Sequence, residues 1–511
     1  MQVFETILLL LLGATVLSAF ARRVNIPYPT LLALGGMVIA FVPGSPRLDL
    51  PPDLILALFV APVLLDAAYD SSLRDLRTLW LPVASLVLVA VTLTTVAVAV
   101  VVHQLLPGIP WAAAIALGAL VAPPDAVAAL AVLRAVNPPY RLRMVLEGES
   151  LVNDATALLI YKLAVGAVAA GAFHFTTAIP TFALVAFGSV FAGWLLSYPL
   201  GWLSNAVEDA PSAVTLQFVT TFAVWILAER LGLSGVVTIV VFGLSVAQRT
   251  TAQSPARLRL ASFAIWESAT KVLNVLAFTL IGLQIGPIFE SLSPAQRLTY
   301  LSLAFVVLAV VMVVRMGWVM THYTLLEVWN RLFTPAAPPS AMSRPTARGA
   351  VVVGWSGMRG IVTLAAAMAL PTDFPYRDFI QLTAFVVVLG TLVLQGLTLR
   401  PLLLLLRIPP DNMIEREIGV ARRAAIQAAL EALGSDPAPA AQRLQGEYAE
   451  ALALAHADRD PHEIPDHQLR RALVEASRRA IGELRGAGTI GDDAYRRVEE
   501  ELDRLELSAS G

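Results

Sequence analysis

Residues 145–170 read VLEGESLVNDATALLIYKLAVGAVAA. The stretch is long and apolar enough for a membrane-crossing helix, yet it carries Glu147, Glu149 and Asp154. Such a helix needs about 20 apolar residues, and an ionisable group inside one is expensive unless it lines a polar path or finds a partner. Spacing sorts the charges. Glu147, Ser150 and Asp154 stand at i, i+3 and i+7, on one stripe of a helix. Glu149 and Asn153 fall roughly 160–200° around from them. One face can therefore offer a carboxylate and a hydroxyl to an ion while the other anchors the helix to a neighbour.

The rest of the chain sets this stretch in a polytopic membrane protein. Of 511 residues, 57% are hydrophobic and 14% charged, where a soluble domain carries about 25% charged residues. Residues 409–511 hold 33 of the 74 charges. This composition excludes an ordinary soluble enzyme or a disordered chain over residues 1–408, and no basic surface suited to nucleic acid stands out. Apolar windows predict thirteen spans, from one near 3–20 to one near 379–399. They include the fifth near 111–133, the eleventh near 299–320 and the twelfth near 350–370. With the N-terminus external, one set of loops carries thirteen Arg (Arg22, Arg23, Arg74, Arg77, Arg141 and Arg143 among them) and the other only Arg47, Arg230, Arg297 and Arg377. That positive-inside bias places the tail, 409–511, in the cytoplasm of a cell with an inner membrane. The tail reads as amphipathic helices near 413–433, 439–456, 466–485 and 491–507.

Other spans hold further intramembrane charges. Asp66 ends the third in APVLLDAAYD, and Asp125 sits in the fifth in GALVAPPDAVAAL. Pro123 and Pro124 lack backbone donors and predict a break just before Asp125, freeing carbonyls for a hard cation. In VVGWSGMRGIVTLAAAMAL, Gly357 and Gly360 bracket Arg359 and predict a second break. Two interrupted helices at corresponding places in two six-helix halves point to an inverted-repeat transporter whose broken helices cross. Arg359 requires an anion, with Glu149 the expected partner and Glu147 the alternative. Glu267 and Lys271 are expected to neutralise each other, Arg315 and Lys162 to snorkel from helix ends, and His103 and His174 to be interfacial.

Carboxylates in a dehydrated site let a proton and a small cation compete for the same oxygens. Oxygen donors from Asp154, Ser150 and Asp125 suit Na⁺, Li⁺ or K⁺, whereas transition metals favour His or Cys, and the chain has no Cys.

The segments GESLVNDATAL, APPDAVA, LLDAAYD and WSGMRGIVTLAAA resemble the signature segments of bacterial monovalent cation:proton antiporters of the CPA1 family, the NhaP-like sodium/proton exchangers. The resemblance covers nearly all of residues 1–408. It implies a homodimer of thirteen-span protomers in the lipid bilayer, each with a dimerisation domain and a mobile core. It further implies exchange of Na⁺, or another alkali cation, for H⁺ by alternating access, with no enzymatic reaction and no cofactor. Asp154 resembles the family's ion- and proton-binding aspartate, with Asn153 as its companion. Ser150 resembles the hydroxyl ligand, Asp125 the aspartate of the unwound helix, Asp66 the acidic gate, and Glu149 with Arg359 the structural ion pair. The Asn-Asp pair implies electroneutral exchange. Pro124 stands where many relatives have Thr. A cation channel and an intramembrane aspartyl protease are the competing readings, but no Gly-x-Gly-Asp segment occurs to support the second.

Overall fold

The computed structural model describes residues 2–24, 26–43, 51–133, 138–171, 175–207, 209–250, 256–333, 346–408, 413–434, 438–456 and 465–487, with 495, 498 and 501–502. All regular structure among the described residues is helical, as lipid demands of a chain that must satisfy its own backbone. The chain divides into two compact units, Met1–Pro410 and Asp411–Gly511.

In the first unit, α1 (Gln2–Arg23) and α2 (Tyr28–Ala40) precede α3, residues 52–70, which contains a π turn at Leu56–Val60. A short α4 (Leu73–Thr78) leads into α5 (Trp80–Leu105). Residues 111–133 form two half-helices, α6 (Trp111–Val121) and α7 (Ala126–Leu133), followed by the unbroken α8 (Tyr140–Ala170). Next come α9 (Phe175–Asn205), α10 (Ala210–Arg230), α11 (Gly235–Thr250), α12 (Ala256–Leu283) and α13 (Ile285–Ser291). The 40-residue α14 (Pro294–Phe333) precedes a second pair of half-helices, α15 (Ala347–Trp355) and α16 (Ile361–Met368), and the unit ends with α17 (Arg377–Leu406).

Among the described residues, seven helical stretches are long and apolar enough to cross a membrane, α5, α8, α14 and α17 among them. The 31 residues of α8 extend about 46 Å at ~1.5 Å per residue, more than a hydrocarbon core of ~30 Å. Helix α14 is longer than the apolar window at 299–320. The polar residues after Met320 end the window but not the helix, so Arg315 lies well inside it.

Small residues let these helices touch. A methyl added to Gly36 of α2 would collide with the Thr279 carbonyl of α12, and one on Gly282 with the Ala33 carbonyl. Close backbone approach through small side chains is how helices associate where lipid removes the hydrophobic drive. Leu32, Ala33, Phe278 and Ile281 are buried around this contact. A second cluster buries Val98, Ala99, Leu117, Phe379 and Ile380 among α5, α6 and α17.

The second unit contains α18 (Met413–Leu433), α19 (Pro439–His456) and α20 (Pro465–Gly486). Gly434, at φ 54°, closes α18 in the left-handed conformation, its amide bonding back to Leu430 and Glu431, and α18 packs against α19. His174 and most of the segment 491–507 lie outside the described residues.

Candidate functional site

The site forms where the two interruptions meet. The peptide amide of Asp125 donates to the Met358 carbonyl at 2.6 Å, joining the non-helical links 122–125 and 356–360. At the start of α7 the Asp125 carboxylate accepts from the Val127 amide at 2.8 Å. It also lies directly against Gly360, where an added Cβ would collide with the Asp125 side chain. Only glycine fits there, and the carboxylate is thereby placed at the N-terminal ends of both α7 and α16. Helix N-termini carry partial positive charge and hold anions well.

Arg359 does the converse. Its side chain is fully buried. Nε donates to the Val121 carbonyl at 3.0 Å and Nη2 to Ala122 at 3.2 Å, the carbonyls at the C-terminal end of α6. Nη1 bonds the Gly357 carbonyl, and the Arg359 amide donates to Thr391 Oγ1 of α17 at 3.0 Å. A cation thus satisfies carbonyls that the break leaves without helical donors.

Arg359 is within electrostatic range of Glu149 but forms no ion pair with it, which corrects the expected pairing. Glu149 bonds Arg315 instead, through Nη1–Oε1 at 2.5 Å and Nη2–Oε2 at 2.9 Å. Arg315 Nη2 also donates to the Val353 carbonyl of α15 at 3.1 Å. Arg315 is 2% exposed and Glu149 1%, so Arg315 does not snorkel. Guanidinium forks match carboxylates bidentately, and α14 presents its fork to α8 because Arg315 is mid-helix. The signal available in the sequence was an Arg flanked by VVMVV and MGWV with helix formers continuing beyond Met320.

Asn153 is fully buried. Its Nδ2 donates to the Pro124 carbonyl at 2.7 Å, and its Oδ1 accepts from the Asp154 amide at 2.7 Å. The amide therefore ties α8 to the break in 111–133. Asp154 and Asp125 are each partly buried, and their carboxylates interact electrostatically. Ser150 stands one turn away from Asp154 on α8 and lines a cavity of about 1300 Å³. The cavity runs inward from Asp70, Ser71 and Leu404 at helix ends to Val127, Ser150 and Leu151. Asp66 lines it from α3, and also lines a smaller void of about 90 Å³ beside Gln217 and Trp266.

Of the remaining charges, Glu267 and Lys271 are placed differently from expectation. Glu267 and Lys271 are both exposed on α12, face the same cavity, and form no ion pair with each other among the described residues. Lys162 pairs with Glu229 of α10 at 2.8 Å, with side-chain exposures of 52% and 39%. His103 stacks on Trp111 at 4.1 Å. Thr391, which receives the Arg359 amide, is a further functional residue that a lone Thr in FVVVLGTLVL does not announce.

A site of two carboxylates where two broken helices meet, near a cavity of about 1300 Å³, belongs to secondary transporters. The family described as "Sodium/hydrogen exchanger, transmembrane" matches residues 7–405, and the chain belongs to it. Over 99% of its length the chain is 28% identical to the sodium, potassium, lithium and rubidium/H⁺ antiporter of Bacillus pumilus, spanning 78% of that protein. Over 98% it is 30% identical to the uncharacterized Na⁺/H⁺ exchanger YjcE of Escherichia coli, spanning 91% of it. Among solved structures, the sodium proton antiporter MjNhaP1 of Methanocaldococcus jannaschii at pH 8 shares the fold. It superposes with a TM-score of 0.62 at 17% identity, over 80% of this chain and 99% of that one.

Proposed function

We propose that the chain exchanges a monovalent alkali cation, Na⁺ first among them, for H⁺ by alternating access, and that residues 1–408 carry the exchange. The observation that carries the reading is the Asp154–Asp125 carboxylate pair held at the crossing of two interrupted helices. Asp154 is the carboxylate for which proton and cation compete, with Ser150 and Asp125 supplying further oxygens and Asp66 guarding the approach. Asn153 positions this set through Pro124.

The charges support one-for-one exchange. Arg315 bonds Glu149, and Arg359 lies in the link that meets Asp125, so these two arginines and the carboxylates of Glu149, Asp125 and Asp154 sum to one formal negative charge. One H⁺ or one alkali cation neutralises it, and low-dielectric surroundings penalise either the empty or the doubly loaded state. The two broken spans occupy corresponding places in two six-helix halves, which supports an inverted repeat within thirteen spans. Loop arginines support an external N-terminus and a cytoplasmic tail in the inner membrane. The family likeness supports a homodimer.

Everted vesicles loaded with acridine orange test the reading. The parent should dequench on addition of Na⁺, Li⁺ or K⁺. Asp154→Asn should abolish dequenching while eluting as the parent does in detergent, and exchange at the parent rate by that variant would remove the reading.

A further inference from the structure

We propose that Glu147, oriented by Arg143, is the carboxylate that first holds a cation arriving through the large cavity, before the cation reaches Asp154. The inference rests on the antiport reading above and adds a residue to its path.

Four side chains of α8 lie on one stripe. From Arg143 the steps to Glu147, Ser150 and Asp154 are four, seven and eleven residues, which keeps all four within roughly 60° of one another. Arg143, Glu147 and Ser150 line the cavity. Glu147 therefore stands about 10 Å along the helix from Asp154, with the Ser150 hydroxyl between them. Asp66, Asp70 and Glu267 also line the cavity, but on α3 and α12. Among the described residues, Glu147 is the cavity carboxylate on the helix that bears Asp154.

Its orientation is set locally. Arg143 Nε donates to Glu147 Oε1 at 2.6 Å, an i,i+4 pair with the Arg side chain 39% exposed and the Glu 17%. The bond engages one carboxylate oxygen and fixes the rotamer. A bare carboxylate on the cavity wall, with no cationic side chain beside it, would bind a small cation tightly enough to retain it. One already sharing its charge with a guanidinium attracts the cation and releases it onward. Charge of one sign focused in a cleft raises the local concentration of its counter-ion.

The pair predicts opposite effects from its two members. In everted vesicles, where added cation meets the cytoplasmic face, Glu147→Gln should raise KM for Na⁺ about fivefold, the factor expected of one unit charge at this distance in a moderately polar medium. That rise should exceed any fall in maximal rate. Arg143→Gln should lower KM, and both differences should shrink in high concentrations of an impermeant salt. Glu147→Asp should restore most of the parent KM. A merely structural ion pair would give both neutral variants the same direction of change. KM equal to the parent's in Glu147→Gln, or a loss confined to maximal rate, overturns the proposal. Should Glu147→Gln fail to fold, the fall in KM of Arg143→Gln decides alone. A parent that exchanges normally while the variants keep its KM removes only this step, whereas a parent without cation-dependent dequenching removes the antiport reading itself.

Discussion

Arg315 and Arg359 are sealed from solvent side by side, yet they are neutralised by different means. A methyl on Gly357 would stand 2.7 Å from Arg315 Nε and 2.9 Å from Arg359 Nη1. Arg315 meets the carboxylate of Glu149 bidentately, whereas Arg359 meets only backbone carbonyls through its side chain. The first is an ion pair between α14 and α8, and it exists wherever those helices touch. The second exists because a helix is broken: the carbonyls of Val121 and Ala122 are available only where Pro123-Pro124 end α6. Arg315 therefore belongs to the packing of the bundle and Arg359 to the architecture of the site.

This difference can be broken by experiment, most visibly at Arg315. Arg315→Met strands the buried Glu149 carboxylate and should destabilise the protein by about 3–5 kcal/mol, read as a fall in Tm in detergent. Adding Glu149→Leu should return most of that loss, because a buried pair replaced by apolar groups is near neutral. A double variant as unstable as the single would refute the pairing.

Arg359→Lys sharpens the contrast. An ammonium keeps the charge but cannot fork across the Val121, Ala122 and Gly357 carbonyls. It should cost about 1–3 kcal/mol through the carbonyls left unmet and lower exchange steeply, and Glu149→Leu should give no rescue. Rescue there would mean that Arg359 and Glu149 are partners after all. The smallest effect is expected from Thr391→Val, which removes the acceptor of a single buried amide. About 1–2 kcal/mol of stability should go, with exchange lowered less than by Arg359→Lys.

How legible the molecule was in its sequence follows the same division. The interruptions could be read because Pro123-Pro124 and the glycines around Arg359 act on the backbone within a few residues of themselves. The stripe on α8 could be read because helical period alone sets it. The partner of Glu149 could not, since that depends on which distant helix comes alongside. An apolar window that ends at 320 sets Arg315 near its edge, whereas α14 continues to Phe333 and keeps Arg315 mid-helix. Asn153 shows the limit in another form. Its place beside Asp154 is plain from sequence, but its bond to the Pro124 carbonyl appears only when α8 and the 122–125 link are set side by side. Glu267 and Lys271, spaced for an i,i+4 pair, instead both face the cavity, where water competes for each charge.

The bond from Asn153 to Pro124 has a mechanical consequence. Together with the Asp125 amide on the Met358 carbonyl, it rivets α8, the 122–125 link and the 356–360 link to one another through the buried residues Asn153, Pro124 and Met358. Sliding one past the next would strand polar atoms in an apolar surrounding, at several kcal/mol each. The two aspartates cannot drift apart to let an ion slip between stationary walls. Under the antiport proposal, the three segments are expected to travel with the cargo as a single piece of freight.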